Sequence, residues 1–363
     1  MYPADPTYFD GFQYGWLRYV WAVFGIDIFG MSEGIGCRYI TQLLTKYIFP
    51  IVFFGNFLYS LIKNWYIYET ISSSKIMITI ILIISALLWV SVSCNKLSIR
   101  KFLTKLTLVN KTVSFKSKEK MKKLISIALL VEIVWMLLQS CLLWYIFGSR
   151  QQKVFLSFLK FFALIWQYYG LTSAFVVTYC STCCFLIHIL RNCKETAEHL
   201  VAKPTTGKMF SFFSEYHEAV KSIEEFQHEF SACSFFCTVQ LTFALSFDVL
   251  VVVEQKPTQA LRVIQTIFFF LMSCASMLGV TVSAAQVPLE MDRIRDILMS
   301  ANPKYVQKLL TDREFEVLVN MALQKRSIVM SGWNLLFFER SFLLKTFGVV
   351  FAQAVLFHQI ILT

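Results

Sequence analysis

Seven runs in this chain are apolar for long enough to cross the ~30 Å hydrocarbon layer of a bilayer as helices. They cover residues 43–62, 76–94, 124–147, 161–189, 231–253, 263–285 and 341–361. Runs of this kind restrict the fold to an all-α membrane protein with seven transmembrane helices. A backbone in lipid has no water to bond, and a helix satisfies its own N–H and C=O groups within one segment. Composition agrees: 56% of the residues are hydrophobic, 16% are charged and mean hydropathy is +0.59, whereas a soluble domain carries about 25% charged residues. A soluble domain, a disordered chain, a collagen-like fibre and a small disulfide scaffold are all excluded.

An odd number of spans predicts termini on opposite faces, and the basic residues assign the faces. With the N-terminus inside, the internal segments 1–42, 95–123, 190–230 and 286–340 hold 25 Lys and Arg, against seven in the external connections. Cytoplasmic segments carry such an excess, so the prediction is a multi-pass membrane protein with its N-terminus cytoplasmic and its C-terminus extracellular. Residues 95–123 are the most uneven, with ten Lys and Arg against the single acid Glu119, and read as a cytoplasmic loop facing anionic membrane lipid. The net charge of +11 therefore reports orientation. Beyond Phe102 and Phe115 no aromatic platform accompanies the basic run, and no nucleic acid partner is expected. The first ten residues hold acids and Pro instead of a basic stretch and an apolar core, which predicts no cleaved leader. Within 15–29, Arg18 and Asp27 interrupt a short apolar stretch, which predicts an amphipathic helix lying at the membrane interface.

No nucleophile with a base, metal set or phosphate cradle is visible: G-x-x-x-x-G-K, H-E-x-x-H and G-x-S-x-G are all absent, and the five histidines are scattered. The chain does not read as an enzyme, and neither cofactor nor metal is expected. Cys180, Cys183 and Cys184 form a C-x2-C-C group, for which small buried hydrophobes are the simpler reading.

Ionisable groups inside apolar spans are costly and mark either internal pairs or functional cavities. Glu132, Asp248 and Lys345 are the instances here, with a Glu132–Lys345 pair as the structural alternative. Asp248, near the outer end of its run, either reaches the interface or lines an external pocket. Polar and aromatic groups cluster in the outer halves of the middle spans: Gln139, Trp144, Tyr145, Trp166, Gln167, Tyr168, Tyr169, Thr172, Gln265 and Thr266. Aromatic walls with a few amides suit a small organic ligand, although interfacial aromatic belts share that composition. The candidate pocket is Gln139, Trp144, Gln167, Tyr168, Tyr169, Asp248 and Gln265.

The internal connections also carry helical patterns. Phe213, Tyr216, Val220, Ile223, Phe226 and Phe230 recur every three or four residues among acids, and Val306, Leu309, Leu310, Phe315, Leu318 and Leu323 do the same. Such faces need burial against each other or a neighbouring subunit, which makes them a candidate cytoplasmic assembly module. The organisation expected is a cytoplasmic N-terminal segment (1–42), a six-helix ligand-binding region with cytoplasmic helical extensions (43–285), a cytoplasmic anchor helix (286–340) and a last span (341–363).

That last span differs in texture. Gln353, Leu356, Gln359 and Ile360 fall at i, i+3, i+6 and i+7, so one face offers two amides and two aliphatic groups. Amides can solvate a cation and aliphatics can close a path by dewetting, as a pore in a symmetric ring requires. A helix interface joined by amide bonds is the alternative.

Trp333, Asn334, Phe337 and Phe338, followed by Arg340 to Leu344, Gly348 and the stretch AQAVLFHQI at 352–360, resemble the arthropod gustatory receptor family of the insect chemoreceptor superfamily. In the family pattern T-Y, five mostly hydrophobic residues, Q-F, Gln359 matches the glutamine, while Ala352, Gln353 and Ile360 replace Thr, Tyr and Phe. The resemblance implies a ligand-gated, non-selective channel of the plasma membrane for monovalent and divalent cations, a homotetramer or a heteromer with related receptors. Its seventh helices would line the pore, and a small-molecule tastant would sit in an outward-facing pocket of each subunit. A G-protein-coupled receptor, the main rival, would need the opposite orientation and shows neither D-R-Y nor N-P-x-x-Y here. A secondary transporter is third, because no repeated halves are visible.

Overall fold

The computed structural model describes residues 15–24, 26, 49–66, 73–109, 115–143, 145, 165–202, 206–254, 260–300, 328–339 and 341–362. Its helices are α1 (Gly15–Val23), α2 (Phe49–Tyr66), α3 (Ser73–Val109), α4 (Phe115–Leu143), α5 (Leu171–Ala202, entered through a π-helical turn at Trp166–Gly170), α6 (Thr206–Glu254), α7 (Ala260–Ser300) and α8 (Phe342–Leu362). Strands β1 (Ser331–Gly332) and β2 (Leu336–Phe337) form a small antiparallel hairpin just ahead of α8.

At 49 residues, α6 is roughly 70 Å long, more than twice the hydrocarbon thickness, so a large part of it projects beyond the bilayer. Five helices, α3 to α7, are long and apolar enough to cross a membrane, while α2 and α8 carry the shorter apolar stretches Pro50–Tyr59 and Phe342–Gln353. The most extensive packing joins α5 to α7 and α3 to α6, with α6 also against α7, α5 and α8.

Residues 95–123 correct a sequence expectation. Instead of a loop, they continue α3 to Val109 and open α4 at Phe115. No Gly or Pro interrupts the run, and Ile99, Phe102, Leu103 and Leu106 keep helical spacing and are buried. Phe102 lies 5.9 Å from Phe226 and 6.3 Å from Phe230 on α6, and Lys105 Nζ donates to Glu225 at 2.6 Å. The same contacts correct the expectation for α6. Phe213, Tyr216, Val220, Ile223, Phe226 and Phe230 are buried within one chain, Phe226 and Phe230 against Phe102 of α3 and Tyr179 of α5, which stands 5.1 Å from Phe226. The apolar face of α6 therefore needs no second subunit to cover it. The companion pattern at 306–323 lies outside the described residues.

The short helix α1 is a further difference. Its Leu17, Trp21 and Ala22, with Phe24 and Ile26 beyond its end, are buried in the core and do not lie along a lipid surface. Polar groups fix it there: Trp21 Nε1 donates to Thr178 Oγ1 at 2.9 Å, and Trp89 Nε1 donates to the Phe24 carbonyl at 2.8 Å. Phe24 stacks on Trp166 with ring centres 5.3 Å apart. The indole donors thus find acceptors that lipid would not have supplied. Toward the C-terminal ends of α5 and α7, the buried carboxylate of Glu290 accepts from Arg191 Nε at 3.2 Å and Arg293 Nη1 at 2.8 Å, tying α5 to α7.

Candidate functional site

Two regions carry polar geometry that packing alone does not require: the attachment of α8 to α6, and a set of buried polar groups on α4, α6 and α7.

The hairpin that precedes α8 is seated directly on α6. Gln227 Nε2 donates to Ser331 O at 2.8 Å and to Ser331 Oγ at 2.6 Å, and its Oε1 accepts the Ser331 N–H at 3.0 Å. The Trp333 N–H reaches both Ser231 Oγ at 2.8 Å and the Ser231 carbonyl at 3.1 Å. The turn places Trp333 (φ 51°) and Asn334 (φ 55°) in the left-handed region. That conformation costs an ordinary side chain about 1–2 kcal/mol, offset here by the Leu335 N–H bond to Gly332 O at 3.0 Å and by the Trp333 ring packed 5.4 Å from Phe235. Gly332 allows the close approach: a Cβ there would stand 2.9 Å from the Phe235 Cα and 3.0 Å from its N. Phe338, buried beyond the hairpin, touches Tyr179 and Phe342 with ring centres 6.2 and 5.5 Å away. Farther along α8, Ser246 Oγ of α6 donates to Gln353 Oε1 at 2.7 Å. The last helix is therefore held to α6 at two levels.

Of the candidate pore residues, Gln353 is half-buried and engaged with α6, so it is set apart from Leu356 and Gln359, which are exposed on α8. The Ile360 side chain lies outside the described residues. Leu344, Val349, Phe351, Val355 and Leu356 extend the exposed apolar surface of that helix.

Of the candidate pocket residues, Gln139, Asp248 and Gln265 are buried. Tyr169 belongs to the π-helical turn, stacks on Phe269 of α7 at 4.5 Å and 13°, and packs beside Ile81, Leu82, Phe243 and Phe247. Gln167 and Tyr168 share that turn, but their side chains, like Trp144, lie outside the described residues. Trp135 of α4, one turn before Gln139, meets Phe268 of α7 with ring centres 5.2 Å apart. Asp248 is only 2% exposed, and its Oδ2 has no hydrogen-bond partner among the described residues. Glu132 and Lys345 do not form the alternative pair, because Glu132 has the Ser173 hydroxyl as its hydrogen-bond partner and Lys345 is exposed on α8.

Sequence reading missed Gln227, Ser231 and Ser246 as anchors of α8, and Ser273 as a buried hydroxyl beside the pocket candidates. Their types are unremarkable along a helix, and only the partner's position gives them meaning. The aromatic cluster 166–169 was visible, but not the π turn that carries it; such turns recur at functional sites.

No protein-family model matches this chain, and no curated protein does either. Its fold is that of insect olfactory receptors. The structure of olfactory receptor OR5 from Machilis hrabei in complex with eugenol superimposes with a TM-score of 0.75 at 13% identity, covering 98% of this chain and 100% of that one. A second structure of the same receptor gives 0.70 at 12% identity with the same coverage. The likeness is one of fold, over nearly the whole of both chains.

Proposed function

We propose that this chain is a chemosensory receptor of the insect chemoreceptor superfamily that works as a ligand-gated, non-selective cation channel. In this reading four copies surround an axis in the plasma membrane, each with seven spans, a cytoplasmic N-terminus and an extracellular C-terminus. Helix α8 lines the path, with Gln359, Leu356 and Ile360 at its narrow part, and residues 286–340 contribute to a cytoplasmic anchor. A small tastant or odorant in the outer half of each subunit biases the pore. The observation that carries the reading is the fold likeness over nearly the whole of both chains, joined to a last helix that is fixed to α6 on one side and exposed on the other. Exposed Leu356 and Gln359 supply the dewetting and solvating groups such a path needs.

The test is expression of this chain alone, with whole-cell recording during a screen of small organic compounds that includes eugenol. Ligand-evoked cation current, altered in selectivity or gating by Gln359→Ala, is expected. Tags should be accessible from outside at the C-terminus only, and the sequon Asn110-Lys111-Thr112, cytoplasmic in this reading, should carry no glycan. A silent, monomeric protein, or an external N-terminus, would reject the reading.

A further inference from the structure

Three polar atoms in the outer half of the bundle lack a hydrogen-bond partner among the described residues although their side chains are at most 2% exposed: Asp248 Oδ2 on α6, Ser273 Oγ on α7 and Gln139 Oε1 on α4. Each is able to accept a hydrogen bond: the Gln139 carbonyl only accepts, the Ser273 hydroxyl both accepts and donates, and Asp248 Oδ2 only accepts when its carboxyl is ionised. Each would be satisfied by a donor that reached it. A carboxylate in so apolar a setting is costly unless a cation or a strong donor meets it.

The surroundings narrow the donor. Asp248 faces α7 closely enough to act electrostatically on Cys274, the residue after Ser273. Phe269 precedes Ser273 by one helical turn, so the ring that stacks on Tyr169 at 4.5 Å shares a helix face with the Ser273 hydroxyl. Phe247, adjacent to Asp248 in sequence, packs in the cluster that holds Tyr169. A buried carboxyl group with an orphaned oxygen, next in sequence to a Phe247 that packs on the same Ile81–Leu82 pair as Tyr169, is the chemistry that selects an organic ammonium group. Its N–H groups supply the missing donors, and its charge is attracted both to the carboxylate and to ring faces.

We propose that Asp248 is the counter-ion of a cationic ligand, a protonated amine with an apolar or aromatic body, and that it makes the receptor discriminate such amines from neutral molecules of equal shape. This rests on reading the chain as a ligand receptor, but it concerns binding and not conduction.

The test uses purified full-length protein in lipid nanodiscs at neutral pH. Phenylalkylamines of several linker lengths are each compared with the phenylalkanol of the same length, by calorimetry and by ligand-induced thermal stabilisation. Binding of the best amine is expected to exceed that of its alcohol by about 30-fold or more, the size usual for a buried charge pair. The near-isosteric Asp248→Asn should abolish the preference while keeping helicity and the unliganded melting temperature. Equal binding of amine and alcohol, a preference that survives in Asp248→Asn, or no amine bound across the series would overturn the assignment. Current recorded in parallel separates the two readings: Asp248-dependent amine binding without current would reject the channel and keep the counter-ion, whereas current evoked only by neutral compounds would do the reverse.

Discussion

The side-chain amide of Gln227 on α6 makes three hydrogen bonds to one residue, Ser331 of the hairpin ahead of α8, using both its donor and its acceptor ends. Ser331 Oγ in turn donates to Asn334 Oδ1 at 3.0 Å, so the amide of one helix organises the turn that launches another. With the Ser231 contacts to Trp333 and the Ser246 bond to Gln353, α6 sets both the foot and the middle of the last helix.

Gln227→Ala removes all three bonds and leaves the partly buried Ser331 N–H without its acceptor. The expected cost is about 1–3 kcal/mol, read as a lowered melting temperature of the purified protein. Amide hydrogen exchange should rise at 331–338 before it rises in α5, and an unchanged exchange pattern would show that the hairpin is held by packing alone.

Gly332→Ala places a Cβ against the α6 backbone, which cannot shift as a flexible side chain would. Destabilisation of about 1–3 kcal/mol is expected from the overlap. Gly348→Ala is the matched control, since a Cβ there meets nothing within 4 Å in the single chain. Thermal unfolding of the two variants side by side checks the contrast.

Ser246→Ala leaves Gln353 Oε1 without its donor from α6. Interhelical hydrogen bonds in membranes contribute about 0.6 kcal/mol on average and at most about 1.7, so the half-maximal ligand concentration should move about threefold and by no more than about 20-fold. A shift shared by Gln353→Leu and not enlarged in the double variant would identify this bond as the source. Additive shifts would assign the effects elsewhere.

Glu290 is buried while its two arginine partners are more than half exposed, and Glu290→Gln should cost about 1–2 kcal/mol, because solvent screens the charge-assisted bonds on the arginine side. The Lys105–Glu225 pair is about one-third exposed on each side, so Lys105→Ala should cost no more than about 1 kcal/mol, falling with added salt. Melting temperatures at low and high ionic strength distinguish the two.

Much of the fold was legible in the chain because lipid is an unforgiving solvent. An apolar run in lipid is driven to become a helix, and the runs at 76–94, 231–253 and 263–285 lie in α3, α6 and α7, as residues 124–143 do in α4. The heptad-like spacing of Phe213 to Phe230 likewise foretold a buried helical face. The candidate pocket was legible only as residue types: Gln139, Asp248 and Gln265 are polar in apolar runs, and that oddity alone marked them.

What the linear order left open was which surfaces meet. Periodicity says that a face must be covered and not by what, so the face of α6 was expected to meet the 306–323 pattern or a neighbouring subunit, when α3 and α5 of the same chain cover it at Phe226 and Phe230. A tryptophan such as Trp21 suits a membrane interface and a core equally well until Thr178 stands 2.9 Å from its indole nitrogen. In the same way Gln227 and Ser331, 104 positions apart, acquire a role only through contact. Solvent transfer acts on each residue separately and can be read along the chain, whereas hydrogen bonds and packing act between residues and exist only once the helices are placed.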